Sequence, residues 1–370
     1  MRILFLTPIG GRTGSEICLW HIIKHLANST IEAVVYSKQD GDLFKNLPPA
    51  IHTFQHKWKR NFLYHFFETI CHKLTKKTPE QWYVKYIHRK FKPQLWYLNT
   101  MTMPEFADMA HEMSVPYVVH VHEMLSLFDT QKSADFIKML ANAKMVIACS
   151  KATQKILEDI QLKNVHLLTS FLDLKKIKIT KSRTEIREEL RLPKNAFVWV
   201  MSGSISMRKG IDFVPDLLRL LPQNHYLVWL GADSGYMANY YSQKRVEAEK
   251  LNFIALGSKN DEDYYNYFNI CDGFVLLSRE EPFGLVMVEA AYLGKPIVSF
   301  DSGGPSEFVQ EEMGKVIKCF DLVSMSEEMI LIANNKTVIN IEKLKARAME
   351  FDIQNHLPKW QKLIETLKLN

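Results

Sequence analysis

Residues 279–304 read REEPFGLVMVEAAYLGKPIVSFDSGG, with Glu281 and Glu289 eight positions apart around a short apolar run. Pro282 and Gly284 precede that run, and Gly294 and Pro296 follow it. This punctuation predicts a helix whose free amides sit near Gly284, Leu285 and Val286. A helix start offers N–H groups and a partial positive charge to a phosphate. Glu281, just outside it, would hold hydroxyls on one side of that phosphate. Glu289, over a turn inside, would take a cis-diol on the other. A sugar, a diphosphate and a ribose fit in that order, and a solvated helix with acidic ends fits the spacing too. Upstream, SGSISMRKG at 202–210 places Arg208 and Lys209 side by side at a glycine turn. Arg bridges two phosphate oxygens and Lys supplies a compact charge.

Other motifs are weaker. Asp301-Ser302-Gly303-Gly304-Pro305 matches the loop around a serine-protease nucleophile, but here it ends an apolar strand, without the β-barrel such a protease needs. Asp261-Glu262-Asp263 has the DxD pattern of metal-dependent sugar transferases, and reads better as a helix cap with acids in the first turn. His120 and His122 have the spacing of a metal pair on one strand face, with no evident third ligand. His122 alone, at a strand end, suits a polar contact or a structural role. Gly10 to Gly14 form neither a GxGxxG nor a Walker loop, which gives nicotinamide or ATP binding little support.

Such residues need a scaffold, and the apolar runs supply one. Residues 3–6, 33–36, 95–98, 117–121 and 145–148 read as buried strands separated by helical patterns. After the charged stretch 175–195 the alternation restarts at 197–201, 226–230, 253–256, 273–277 and 296–300. Continuous apolar strands between helices predict parallel sheets covered on both faces, here in two doubly wound α/β domains. Ligands of such sheets bind beyond the carboxyl ends of the strands. A length of 370 residues accommodates about two domains at ~100–200 residues each. An isolated amphipathic pattern over 352–367 suits a terminal helix returning to the first domain. The five cysteines are odd in number and form no CxxC pair, which argues against a disulfide framework and for a reducing cytoplasm. The opening MRILFLTPIGG is too short for a signal peptide, and no later run approaches a membrane span.

The net charge of +6 is unevenly placed. Residues 57–92 hold ten Lys or Arg against Glu68 and Glu80, a local +8 that leaves −2 for everything else. Trp58, Phe62, Tyr64, Phe66, Phe67, Trp82, Tyr83, Tyr86 and Phe91 lie in the same stretch. It reads as a surface for an anionic membrane, as a nucleic-acid module, or as a solvated helical pair whose aromatics pack inward.

Together these residues resemble the retaining GT-B glycosyltransferases of the family 4 type (glycosyl transferases group 1). The resemblance covers nearly the whole chain: Gly14-Ser15-Glu16, KPQLWYLNT at 92–100, VVHVHE at 118–123, KMVIACSKAT at 144–153, Arg208-Lys209-Gly210, residues 268–309 and the terminal helix. It implies two Rossmann-like domains facing across a cleft. Residues 1–172 would form the acceptor side, 173–195 a linker, 196–351 the nucleotide-sugar domain, and 352–370 a helix packing back on the first domain. It also implies retaining transfer, without a metal or cofactor, from a UDP- or GDP-sugar to a hydroxyl of a glycan or lipid-linked acceptor. Cell-surface polysaccharide or glycolipid synthesis at the inner face of the plasma membrane is the expected setting, with no nucleic-acid partner.

Carried over by position, Glu281 and the backbone of Phe283, Gly284 and Leu285 would hold the donor sugar, and Glu289 the ribose. Lys209 and Arg208 would neutralise the diphosphate, assisted by the Gly14 loop. Ser204, Gly257 and Val286 would complete the donor site, and His122 would lie near the reacting carbon. Two departures stand out: Ser204 occupies a position where the family often has Arg, and TSFLDL lacks the usual Asn-Gly before Asp173. The alternatives are a nucleotide-sugar epimerase on the same fold and a basic binding module.

Overall fold

The computed structural model describes residues 1–11, 13–27, 29–41, 43, 46–55, 62–124, 126, 133–233, 235 and 237–367. The chain forms two compact units, Met1–Leu172 with His356–Asn370, and Asp173–Asn355.

The first unit is built on seven strands: β1 (Arg2–Thr7), β2 (Glu32–Ser37), β3 (His52–Gln55), β4 (Leu95–Leu98), β5 (Tyr117–Val121), β6 (Met145–Ala148) and β7 (Val165–Leu167). They pair in parallel in the order β3-β2-β1-β4-β5-β6-β7. All residues of β4, β5 and β6 are buried, as expected of strands covered on both faces. The helix Ile353–Glu365 belongs to this unit from His356 onward. Its Trp360 is fully buried, with ring centroids 6.3 Å from Phe5 and 6.2 Å from Tyr97. The apolar spacing of that helix is therefore satisfied by the face of the first sheet.

The second unit holds β8 (Phe197–Ser202), β9 (His225–Leu230), β10 (Phe253–Ala255), β11 (Gly273–Leu276), β12 (Ile297–Phe300) and β13 (Gly314–Ile317). Their order is β10-β9-β8-β11-β12-β13, again parallel throughout. Residues 173–195 are packed onto this unit. They carry the helix Arg183–Glu189, whose Arg187 reaches Asp272 at 3.3 Å.

In both sheets the strand order reverses beside the first strand, between β1 and β4 and between β8 and β11. Ligands of open parallel sheets bind at such switch points. In the second unit the loops leaving β8 and β11 are the ones that carry Arg208, Lys209 and Glu281. Among the described residues no helix is long and apolar enough to cross a membrane.

Candidate active site

The loop after β8 turns through the short helix Met207–Lys209, and the loop after β11 leads to the helix Leu285–Tyr292. Three contacts lock these loops together. The Arg279 amide donates to the Arg208 carbonyl at 2.8 Å, and the Arg208 guanidinium donates to the Glu280 carbonyl at 2.9 Å. Arg279 also grips Asp212 with two bonds of 2.8 and 2.6 Å while lying 4.2 Å above the Phe213 ring. A bidentate pair fixes orientation as well as distance. Arg279, which the sequence reading passed over, is thus what sets Lys209 against Glu281.

Lys209 and Glu281 form an ion pair and are only 8% and 7% exposed. Ser278 adds a hydroxyl to the same Glu281 oxygen at 2.9 Å. Burial pushes the Glu281 pKa up, but Lys209 and Arg208 outweigh it and hold the carboxylate below its ordinary range. Burial lowers the Lys209 pKa, partly offset by Glu281. At neutral pH the pair is ionic, because each charge is the other's compensation.

The helix beyond starts from Gly284, whose φ of 90° lies in the left-handed region that favours glycine. A Cβ there would stand 2.7 Å from Met287 Cε and 3.1 Å from Glu281 Cγ. The amides of Leu285 and Val286 belong to the first turn, where an α-helix leaves N–H groups without intrahelical partners. Phe283 anchors the turn, its ring 5.0 Å from Phe351 and 6.3 Å from Phe308. At the far side of the helix Glu289 is buried and accepts hydroxyls from Tyr264 at 2.9 Å and Tyr265 at 3.0 Å. Ser204 is exposed after β8. Gly257, with φ 66° after β10, accepts the Gly231 amide at 3.0 Å.

The motif Asp301 to Pro305 has a structural explanation. Glu281 donates its amide to the Ser302 carbonyl at 2.9 Å and accepts the Gly304 amide at 2.8 Å. The glycines let one backbone lie against the other, so the turn braces the Glu281 loop. For Asp261 to Asp263, the helix cap is Asn260, which accepts the Asp263 amide at 2.8 Å. The acids occupy the first turn as expected, and the cap itself lies one residue earlier.

The first unit holds the other two candidates. Gly14 is the exposed first residue of the helix Gly14–Leu26. His122 follows β5, and burial pushes its pKa down to about 3, so the ring is neutral. Its Nε2 is shut from solvent with no hydrogen-bond partner among the described residues. His120 is also neutral, chiefly through burial, and bonds the Tyr97 hydroxyl at 2.8 Å. Two acids, Glu16 buried and Glu123 half-buried, lie beyond the ends of β1 and β5. Glu16 takes hydroxyls from Thr7 at 3.0 Å and Ser15 at 2.6 Å. Glu123 accepts the His122 amide at 2.9 Å, and burial raises its pKa to about 7.

Two parallel-sheet α/β domains, with a cation and two carboxylates set around a helix start at the second switch point, define the GT-B class of fold. The chain matches the family "Glycosyltransferase Family 4" over residues 12–176 and "Glycosyl transferases group 1" over residues 182–350, and belongs to the group 1 GT-B glycosyltransferases. It is 31% identical over 134 residues to a lipopolysaccharide 1,2-N-acetylglucosaminetransferase of Salmonella typhimurium; the match spans 34% of this chain and 35% of that protein. An uncharacterised glycosyltransferase of Methanocaldococcus jannaschii is 21% identical over 84% of this chain and 80% of its own length. The fold matches Anabaena HepE, solved with UDP and glucose, with a TM-score of 0.83 at 22% identity, over 99% of this chain and 100% of that one.

Proposed function

We propose that this protein transfers a sugar, with retention and without a metal, from a nucleotide-diphosphate sugar to a hydroxyl of a glycan or lipid-linked acceptor in cell-surface polysaccharide synthesis. The observation that carries this reading is the buried Lys209–Glu281 pair at the start of the helix that holds Glu289 at its other side. The arrangement suits a donor laid along the helix start. The diphosphate meets Lys209, Arg208 and the first-turn amides, Glu281 takes sugar hydroxyls, and Glu289 takes the ribose. The leaving group of such a transfer is a nucleoside diphosphate, so negative charge develops where the cations already stand. Fixed dipoles and cations aimed at developing charge lower a barrier without reorganising. In the first unit, the unpartnered Nε2 of neutral His122 suits a hydrogen bond to a sugar hydroxyl.

HepE with bound UDP and UDP-glucose supports a nucleotide-sugar donor here, and the lipopolysaccharide and O-antigen enzymes among the relatives support a glycan acceptor. An anionic membrane is the proposed meeting place with a lipid-linked acceptor, on the strength of the exposed Phe66, Ile70 and Leu74 stripe beside Lys73 and Lys76.

The test is thermal stabilisation by a panel of UDP-, GDP-, ADP- and CMP-sugars, followed by product analysis with the donor that binds. Binding of N alone raises stability by RT ln(1 + [L]/Kd), ~2.7 kcal/mol at a hundredfold excess over Kd. One nucleotide series should raise the melting temperature, and its sugar should appear on an acceptor with unchanged anomeric configuration. Stabilisation by none of the four, or an altered sugar released without acceptor, overturns the reading in favour of a binding module or an epimerase.

A further inference from the structure

Glu289 is held by a directed chain of hydroxyls. Tyr264 donates to its Oε2 at 2.9 Å and Tyr265 to its Oε1 at 3.0 Å. An ionised carboxylate only accepts, so each phenol commits its single proton to Glu289. The 2.7 Å contact between Tyr264 and Ser202 must therefore run from the serine hydroxyl to the phenol oxygen. The order is Ser202 to Tyr264 to Glu289, with Tyr265 joining from the other side. Three elements meet here: the end of β8, the middle of the helix Asp261–Phe268, and the helix Leu285–Tyr292.

Successive helical residues diverge by about 100° and do not share a face. The two rings nevertheless converge, at a centroid distance of 4.9 Å and an interplanar angle of 75°, so that one hydroxyl reaches each carboxylate oxygen. The terminal torsion of Glu is broad when nothing restrains it. One donor per oxygen fixes it. Phenylalanine at both positions would pack the same space, so the hydroxyls matter for aiming the carboxylate rather than for filling the core.

We propose that Tyr264 and Tyr265 are positioning residues that hold the Glu289 carboxylate in the plane needed to receive the two vicinal hydroxyls of the donor's ribose. This rests on the reading of Glu289 as the ribose-binding residue. The tyrosines then act on affinity only through the cis-diol. They do not touch the sugar or the phosphates.

The experiment uses the full chain and the nucleoside diphosphate of the series that stabilises it, alongside its 2′,3′-dideoxy counterpart. Calorimetry gives Kd for both ligands on the wild type, Tyr264→Phe, Tyr265→Phe, Glu289→Ala and the Tyr265→Phe/Glu289→Ala double variant. The wild type should prefer the ribose form about tenfold or more. Each Phe variant should lose roughly five- to tenfold for the ribose form while binding the dideoxy form within about twofold of wild type. In turnover assays KM for the donor should rise with kcat nearly constant. Tyr265→Phe should add nothing to Glu289→Ala. Equal weakening of both ligands would mean that the tyrosines merely support the fold, and it overturns the proposal. Full ribose preference in the Phe variants does so as well. A wild type that binds both ligands equally overturns the ribose reading of Glu289 and this proposal together, which marks that failure apart from the other two.

Discussion

Lys209 and Glu281 are buried counter-charges, so removing either leaves the other uncompensated. Breaking such a pair costs ~3–5 kcal/mol of stability. Losing a donor aimed at developing negative charge costs ~2.7–4 kcal/mol of barrier. Lys209→Ala should therefore unfold at lower urea and, in the folded fraction, turn over roughly a hundredfold or more slowly. The double variant Lys209→Met/Glu281→Gln separates the two effects, because it should recover stability but not turnover. Full turnover in folded Lys209→Ala would refute the assignment. Activity removed by EDTA and restored by manganese would refute metal-independent transfer.

Glu123 makes a second residue-scale prediction. Burial, with Glu16 adding to it, raises its pKa from 4.5 to about 7 against the Thr100 hydroxyl and the His122 and Met101 amides that lower it. Between those values the folded protein keeps a proton that the unfolded chain has lost. Stability thus falls as pH rises from about 4.5 to 7, and the shift amounts to roughly 3 kcal/mol at ~1.4 kcal/mol per pH unit. Glu123→Gln is neutral throughout. Urea unfolding at pH 5 and pH 8 should show the variant gaining on the wild type as pH rises, and parallel pH dependences would disprove the burial argument. In the sequence Glu123 stands out only as the last residue of VVHVHE. Its altered acidity comes from burial beside Glu16 on the helix Gly14–Leu26, Thr100 and Met101 after β4, and the adjacent His122; all but His122 are distant in the chain, so no local pattern reveals it.

At the scale of elements, strands buried on both faces were legible, whereas of the short edge strands only β10 was. The runs at 95–98, 117–121 and 145–148 are apolar, His120 excepted, because both faces are covered, and each is a strand. HTFQ, VHL and GKVI form β3, β7 and β13, sheet-edge strands of three or four residues with mostly exposed or half-buried side chains. Without a buried face they lack the apolar signal that periodicity needs. Around the site, the helix start at Gly284 was legible from its Pro and Gly, whereas the tyrosine cover of Glu289 was not. The pair in DEDYYNYF reads as two apolar helix positions until the sheet brings them beside residue 289. The Ser-Gly-Gly turn, rejected as a protease loop because it ends a strand, owes its glycines to backbone approach. A Cβ on Gly304 would stand 2.3 Å from the Phe283 carbonyl oxygen and 2.4 Å from its Cα. Overpacking of this kind typically costs ~1–3 kcal/mol, and more where only backbone can yield. Gly304→Ala should lower the melting temperature and weaken nucleotide-sugar binding together, because the displaced segment is the Glu281 loop. Unchanged donor affinity in that variant would show that the brace is dispensable.

At the scale of the whole molecule, the uneven charge is the feature to account for, with a local +8 over residues 57–92. Lys57, Trp58, Lys59 and Arg60 lie outside the described residues, as do the side chains of Phe62, Tyr64 and Phe67. The rest divides between two roles. Tyr83 and Phe91 pack inward against Phe54, and Val84 and Ile87 are buried, which fits a helical pair with inward aromatics. Phe66, Ile70 and Leu74, spaced by four on the helix Phe62–Thr75, are exposed, as are Trp82 and Tyr86 on the helix Pro79–Phe91. Lys73, Lys76 and Arg89 are exposed on the same helices or at their ends, whereas Lys77 is paired with Glu112. An apolar stripe flanked by free cations is what an anionic bilayer surface binds, at ~1 kcal/mol per Lys or Arg near the lipid plus the buried apolar area. The protein should therefore float with phosphatidylglycerol vesicles at low salt and be released as salt rises, since the attraction is screened within a Debye length of ~8 Å at physiological strength. Lys73→Glu/Lys76→Glu/Arg89→Glu should stay in the soluble fraction yet still transfer sugar to a soluble acceptor. If the wild type never floats, and the charge-reversed protein instead loses activity on a soluble acidic acceptor, these cations greet the acceptor itself and no bilayer.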